Sequence, residues 1–299
     1  MEAIVAGRLS ADIYPEQIET PLEDVETFRR YVGGFAGNVC TGLARLGVDC
    51  AIVSAVGDDG HGRFVRRALE AEGVDTRWLG THDTLRTALA FCEIWPPDTF
   101  PITFYRTPTC PDWELRPEDV DAAAFAEAPL VYASGTGLAV EPSRSTTLGL
   151  LAARAGRPHT ILDLDWREAL WRSRDEYAAA IADALPHASV VLGGDGEYAA
   201  AGVDPAEPRP AARVVKHGPD GCTVFDTEGE HRVAGLQVEV VNGLGAGDAF
   251  AAAWGYGLIR GLEPAPLANA AGAIVATRHS CSTAMPTEDE LTRFLVEHR

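Results

Sequence analysis

Between Val238 and Phe250 the chain reads VEVVNGLGAGDAF, in which alternating β-branched residues give way to Gly243, Gly245, Gly247 and then Asp248. Glycines leave peptide N–H groups bare and let a ligand approach the backbone closely. If a helix starts here, its first turn adds unpaired donors and partial positive charge. The amides of Gly245, Ala246, Gly247 and Asp248 then make a pocket for an anion, with a carboxylate at the rim. The same letters also fit a tight turn capped by Asp248. Which reading holds depends on what the rest of the chain brings to this bend.

The positioning elements follow from hydrophobic patterning. The runs AIVAG (3–7), CAIVSAVG (50–57), LVYAS (130–134), TILDLD (160–165), SVVLGG (189–194) and ARVVKHG (212–218) read as buried strands ending in turn or polar residues. Helical stretches separate them. In HGRFVRRALEAEG (61–73), Phe64, Val65, Ala68 and Leu69 share one stripe and Gly73 supplies the stop. Such alternation predicts an α/β fold, with a mainly parallel, doubly wound sheet between helical layers. Residues 11–34 and 87–107 have no helical period and predict short antiparallel strands, a small lid sheet. No linker divides the chain, so residues 1–299 are expected to form one domain carrying these two insertions.

Bulk properties narrow the partners. The 299 residues carry a formal net charge of −19, which argues against nucleic acid or an anionic membrane. Lys216 is the single lysine among 25 basic residues, a bias that codon composition explains. The six cysteines are dispersed, without zinc spacing, and read as reduced thiols. The first residues lack a signal-peptide pattern and no apolar stretch is long enough to span a bilayer, so a cytoplasmic location is expected.

The chain has no G-x-x-x-x-G-K-[ST] loop, and GTGLAV (135–140) lacks the third glycine and downstream acid of a dinucleotide fold. However, GGFAGNVCTGLARLG (33–47), VGDDGHGRFVRRALEAEGVDT (56–76), GDGE (194–197), KHGPDG (216–221) and NGLGAGDAF (242–250) occur in one order over most of the chain. Together they resemble the ribokinase-like (PfkB-type) carbohydrate kinases. Within that family, GRLSADIY (7–14), PLEDVETFRRYVGG (21–34), DTFPITFYR (98–106), LDLDWREALW (162–171), Asn242 and RHSCSTAMP (278–286) resemble the sugar-acid kinases of myo-inositol breakdown.

The resemblance implies a three-layer ribokinase-like fold, ATP and Mg²⁺ as cofactors, and a monovalent cation such as K⁺ as a further candidate. It implies phosphorylation of the terminal primary hydroxyl of a keto-deoxy sugar acid, 5-dehydro-2-deoxygluconate first. The alternatives within the fold are 2-dehydro-3-deoxygluconate, fructose or a nucleoside; a non-catalytic sugar- or nucleotide-binding sensor is the alternative of another class. Asp248 is the implied base, its pKa expected to fall at a helix N-terminus. The Gly245–Asp248 amides are the implied anion hole for the γ-phosphate.

Asp12, Gly33, Gly34 and Asn38 are implied to meet the sugar, and Arg106 and Arg167 to grip its carboxylate or keto oxygen. Lys216, Gly218, Gly221, Asn269 and Ala273 are implied to line the ATP site, although a glycine turn between two strands and a buried alanine-rich helix explain most of them equally. Glu197 is implied to organise Mg²⁺ through water, or else is a helix N-terminal carboxylate. A homodimer through the lid is expected. Two departures fall on implied substrate contacts: TPTCPDW after Arg106, where an acid and an amide are usual, and Trp166, where tyrosine is usual.

Overall fold

The structure is a computed structural model that describes residues 1–207 and 212–298. In chain order, β1 (Ala3–Ala6) is followed by the pair β2 (Ser10–Pro15) and β3 (Phe28–Gly33), then α1 (Phe35–Arg45), β4 (Cys50–Gly57), α2 (Gly60–Ala71) and β5 (Asp75–His82). A second pair, β6 (Leu89–Cys92) and β7 (Ile102–Tyr105), leads to α3 (Ala122–Glu127) and β8 (Leu130–Ser134). Next come α4 (Ser143–Ala153), β9 (Thr160–Asp163), α5 (Arg174–Ala184), β10 (Val190–Gly194), α6 (Asp195–Ala201) and β11 (Ala212–Lys216). The chain closes with β12 (Gly221–Asp226), β13 (Gly229–Ala234), α7 (Ala246–Arg260), α8 (Pro264–Ala276) and α9 (Glu288–Glu297).

All six apolar runs become strands of one nine-stranded sheet, ordered β13-β12-β11-β10-β9-β8-β1-β4-β5. From β11 to β5 every pairing is parallel, and β12 and β13 add an antiparallel edge. Successive residues of β1 explain why these runs lack polar alternation. Ala3 and Val5 pack with Phe35, Val39 and Ala252 from α1 and α7, whereas Ile4 and Ala6 pack with Phe125 and Leu150 from α3 and α4. Both faces are covered, as a parallel sheet requires. Strand order reverses at β1, between β8 and β4, and ligands of such sheets bind outside the carboxyl ends of the strands at that switch point.

The lid is a four-stranded sheet ordered β3-β2-β6-β7. Its hairpins are antiparallel as expected, but β2 and β6 pair in parallel where only antiparallel strands were expected. The reason is directional: β2 follows β1, β6 follows β5, and both parent strands run the same way. Two outgoing strands therefore lie side by side and their return strands flank them.

One helix pair sets the site. Tyr132 on β8 donates its hydroxyl to the Ala251 carbonyl at 2.9 Å, and a Cβ on Gly255 would lie 1.8 Å from the Tyr132 hydroxyl oxygen. On the other side of α7, a Cβ on Gly42 of α1 would lie 2.7 Å from the Ala252 Cβ. Small residues thus let α1 and α7 approach closely, and the first turns of both helices end up together.

Candidate active site

The polar residues gather where the strands end. Arg8 and Asp12 follow β1, Thr136 follows β8, Asp163 closes β9 with Asp165 and Arg167 just beyond, Glu197 follows β10, and Lys216 closes β11. Asp12 lies on β2, buried, and accepts from the Ser10 hydroxyl at 2.7 Å. Burial pushes its carboxyl above the ordinary range, against the pull of Arg8 and Arg106. A Cβ on Gly33 would lie only 1.9–2.1 Å from that carboxylate, and Gly34, with φ +82°, would drive one into the Arg8 carbonyl at 2.5 Å. The glycine pair lets β3 close over Asp12 and turn into α1.

Asp248 does not cap its helix. Gly245 is the N-cap of α7, with φ +83° and no side-chain bond, and Asp248 stands in the first turn. Its carboxylate accepts instead from Nδ2 of Asn38, in the first turn of α1, at 2.7 Å. The Asn38 Oδ1 has no partner among the described residues. The expected fall in the Asp248 pKa is corrected: burial and then Asp165 push it up to about 6, although Asn38, Arg8 and Arg167 pull the other way. Desolvation of the carboxylate outweighs the helix N-terminus. Cys281 ties the two acids' surroundings together. Its Cβ is 2.7 Å from the place a Gly245 Cβ would take, and its Sγ is 3.9 Å from Asp12 Oδ2.

On the other side of the glycine bend runs a cleft of about 240 Å³. Lys216, Gly218, Gly221, Asn269 and Ala273 all line it, together with Ala246, Gly247, Pro97 and Phe250. Gly218 and Gly221, at φ +58° and +94°, make the turn between β11 and β12. The Asn269 amide donates to the Ala234 carbonyl at 3.1 Å, fixing α8 against β13. The Lys216 Nζ points toward the bend, 3.7 Å from the position of a Gly247 Cβ. It pairs with Asp163 at 3.0 Å and stands 3.7 Å from Glu197. Burial opposes its charge, but the two acids outweigh burial and hold the ammonium above the ordinary lysine range.

Glu197 is also a helix-terminal carboxylate, accepting from Gly194 N at 2.7 Å and from Trp166 N at 3.1 Å. The oxygen that accepts from Gly194, Oε2, also faces Lys216. The bare bend, the facing ammonium and the flanking carboxylates suit a polyphosphate and Mg²⁺, which takes one or two carboxylates and fills its shell with phosphate and water.

The two expected arginines are placed differently. Arg106 is buried, bonded to Asp112 at 2.6 Å and stacked 4.4 Å over Trp113, with Nε and Nη1 unpartnered among the described residues. The unusual segment after Arg106 therefore supplies its counter-ion. Arg167 is partly exposed and sits 3.2 Å from Asp165. Trp166 packs on Tyr177 with ring centroids 4.5 Å apart.

Sequence reasoning missed Arg8, Asp163, Asp165 and Asp112. Asp165 has φ +37°, a left-handed geometry that is costly for aspartate, and accepts from the Thr136 hydroxyl. Burial works to protonate it, but Arg8 and Arg167 prevail and hold it below the ordinary carboxylate range. For Arg8, Asp163 and Asp165, a polar residue at or just beyond the end of a buried strand was the available signal.

Comparison with known proteins gives the family. The profile of the pfkB family carbohydrate kinases matches residues 2–288. A 5-dehydro-2-deoxygluconokinase of Geobacillus kaustophilus is 35% identical over 100% of this chain and 95% of its own length. A sugar kinase of Pyrococcus horikoshii, solved in complex with ATP, superposes with a TM-score of 0.87 at 25% identity, covering 99% of this chain and 100% of its own. A fructokinase of Vibrio cholerae, solved with fructose, ADP and calcium, gives 0.87 at 26% identity over 99% of both chains. With its sheet, lid and bend accounted for, the chain belongs to the pfkB family and is an ATP-dependent carbohydrate kinase.

Proposed function

We propose that this kinase transfers the γ-phosphoryl group of ATP to the terminal primary hydroxyl of a keto-deoxy sugar acid, 5-dehydro-2-deoxygluconate first. The relative named for that activity, 35% identical over the whole chain, supports the substrate. The observation that carries the chemistry is the position of Asp248, beside the glycine bend that lines the nucleotide cleft and bonded to Asn38 at 2.7 Å. In this reading the acceptor hydroxyl gives its proton to Asp248 as its oxygen attacks the γ-phosphorus, and ADP leaves. The amides of Gly245 to Asp248 meet the charge on the transferring group. Asp12, Gly33, Gly34 and Asn38 hold the sugar, with Arg106 and Arg167 toward its carboxylate or keto end.

Lys216, Gly218, Gly221, Asn269 and Ala273 hold the nucleotide, and Glu197 orders the water around Mg²⁺, which shields the phosphate charge. A monovalent cation such as K⁺ is a further candidate cofactor of this reading, tested by replacing it with a bulky organic cation. Closure of the lid excludes water and so suppresses ATP hydrolysis. The lid's outer face presents Phe28 and Tyr105, 39% and 58% exposed, around Phe91. A homodimer through this face covers them, and Tyr105→Glu then yields monomers on gel filtration. Coupled ADP release across 5-dehydro-2-deoxygluconate, 2-dehydro-3-deoxygluconate, fructose and nucleosides tests the whole reading. A preference for the first supports it; a preference for fructose or a nucleoside, or binding without ADP release, overturns it.

A further inference from the structure

Arg8 is an enclosed cation whose partners do not match its donors. It lies in the short link between β1 and β2, at the switch point of the large sheet, and is 6% exposed. Its Nε donates to the Thr136 hydroxyl at 3.3 Å. Its Nη2 stands 3.6 Å from Asp165 Oδ2, an ion pair too long for a hydrogen bond. Among the described residues no hydrogen bond engages either terminal nitrogen, and neither is sealed from solvent. The guanidinium lies 5.6 Å from the ring of Phe104 on the lid, so it sits between the lid and the carboxyl edge of the large sheet.

The other two arginines are in different situations. Arg106 is locked to Asp112 at 2.6 Å and against Trp113, and Arg167 has a side chain 40% exposed. Arg8 alone combines enclosure with two reachable, unused N–H groups on each side of a planar fork. Its positive charge favours the ionised forms of both Asp12 and Asp248, so it belongs to the same polar cluster as those two acids. Hydroxyls of a neutral sugar are satisfied by carboxylates and amides. The donors that Asp165 and Thr136 leave to water can be taken over by a ligand, and the planar fork of a guanidinium suits a carboxylate.

The geometry points to Arg8 as a specificity-determining residue that reads the carboxylate of the acceptor, with Asp165 as the positioning residue that orients it. This rests on the sugar-acid reading above and adds a group that the resemblance did not supply. Asp165 holds Arg8 from one oxygen and Arg167 from the other, and Thr136 braces both Arg8 and Asp165. The anionic end of the acceptor then lies beneath the lid, against Arg8, with the opposite hydroxyl end at Asp248.

The test is a calorimetric titration, without ATP, of 5-dehydro-2-deoxygluconate, 2-dehydro-3-deoxygluconate and a neutral analogue carrying CH₂OH in place of the carboxylate. The proteins are the full chain, Arg8→Lys and Arg8→Gln, each checked for an unchanged melting transition. Loss of one buried charge-assisted contact predicts acid binding weaker by about 10- to 100-fold, with the neutral analogue changed by less than about threefold. A variant that keeps the wild-type ratio of acid to neutral affinity overturns the role of Arg8 alone. Wild-type protein that binds the acids no better than the neutral analogue overturns both this role and the sugar-acid reading. A preference for 2-dehydro-3-deoxygluconate that still depends on Arg8 upholds the role and overturns only the substrate named first. Should neither variant fold, a crystal of the wild-type protein soaked with the acid decides. A carboxylate at about 3 Å from Arg8 supports the role, and one bound only to Arg106 or Arg167 overturns it.

Discussion

The Asn38 amide donates to the Asp248 carboxylate at 2.7 Å, and one helical turn further along each helix Gly42 faces Ala252 with no room for a Cβ. The hydrogen bond and the close helix approach are one device. Asn38 precedes Gly42 on α1 by the same spacing at which Asp248 precedes Ala252 on α7, so the approach that the glycine permits brings the two polar groups into register. Gly42→Val therefore separates the first turns while leaving both helices intact. Turnover is expected to fall at least about tenfold, with helical circular dichroism retained, whereas Asn38→Ala lowers kcat by a similar factor without moving the helices.

As the proposed base, Asp248, pushed up to about 6, is expected to give the activity an acid limb. A base works only when ionised, so kcat/KM should fall about tenfold per pH unit below about 6. Asn38→Leu removes a donor that favours the ionised form, and the limb then moves to higher pH. A pH–rate profile that stays flat from 5 to 8 contradicts the assignment.

The same shift has a stability consequence of definite sign. The folded chain holds the Asp248 proton more tightly than the unfolded chain does, so the cost of ionising it is absent below the ordinary carboxylate range and complete above about 6. Asp248→Asn should raise stability by about 1–2 kcal/mol at pH 8, after allowance for its partial exposure, and change it little at pH 4. Thermal melts at the two pH values read this directly.

Lys216 is the counter-charge for two acids as well as the cation facing the glycine bend. Lys216→Met leaves Asp163 buried without its partner, and a loss of about 3 kcal/mol is expected together with a raised KM for ATP. The double variant Lys216→Met with Asp163→Asn should recover most of the stability and none of the ATP affinity. Recovery of both would mean that the ammonium serves only the fold.

Gly33 has a different constraint, because its missing Cβ would fall 1.9–2.1 Å from the Asp12 carboxylate. Gly33→Ala must displace that carboxylate or β3. The acceptor KM should rise by about tenfold or more while the KM for ATP, whose proposed site lies across the bend, stays near its wild-type value.

The large sheet was legible because its parallel strands are buried on both faces and read as unbroken apolar runs. β13 was not, since nearly all its residues are exposed and its pairing is an edge hairpin. The lid was legible as strands, but the parallel pairing of β2 with β6 depends on the direction of β1 and β5, which no local pattern encodes. At the site, the glycines announced the bend and Asp248, and every expected nucleotide-site residue lines one cleft. Arg8, Asp163 and Asp165 escaped notice because each acquires meaning from partners distant in sequence, such as Thr136 for Arg8 and Lys216 for Asp163, whereas Asp112 lay in the segment beside Arg106 but was not recognised as its counter-ion. The direction of the Asp248 shift escaped for a related reason: helix polarity is written locally, whereas desolvation is set by the whole fold.

Single-turnover ADP formation by Asp248→Asn with saturating Mg-ATP and 5-dehydro-2-deoxygluconate bears most directly on the central claim. The carboxylate as proton acceptor predicts a rate reduced by about a thousandfold or more, with nucleotide and sugar affinities near wild type. A folded Asp248→Asn protein that turns over at close to the wild-type rate would contradict it.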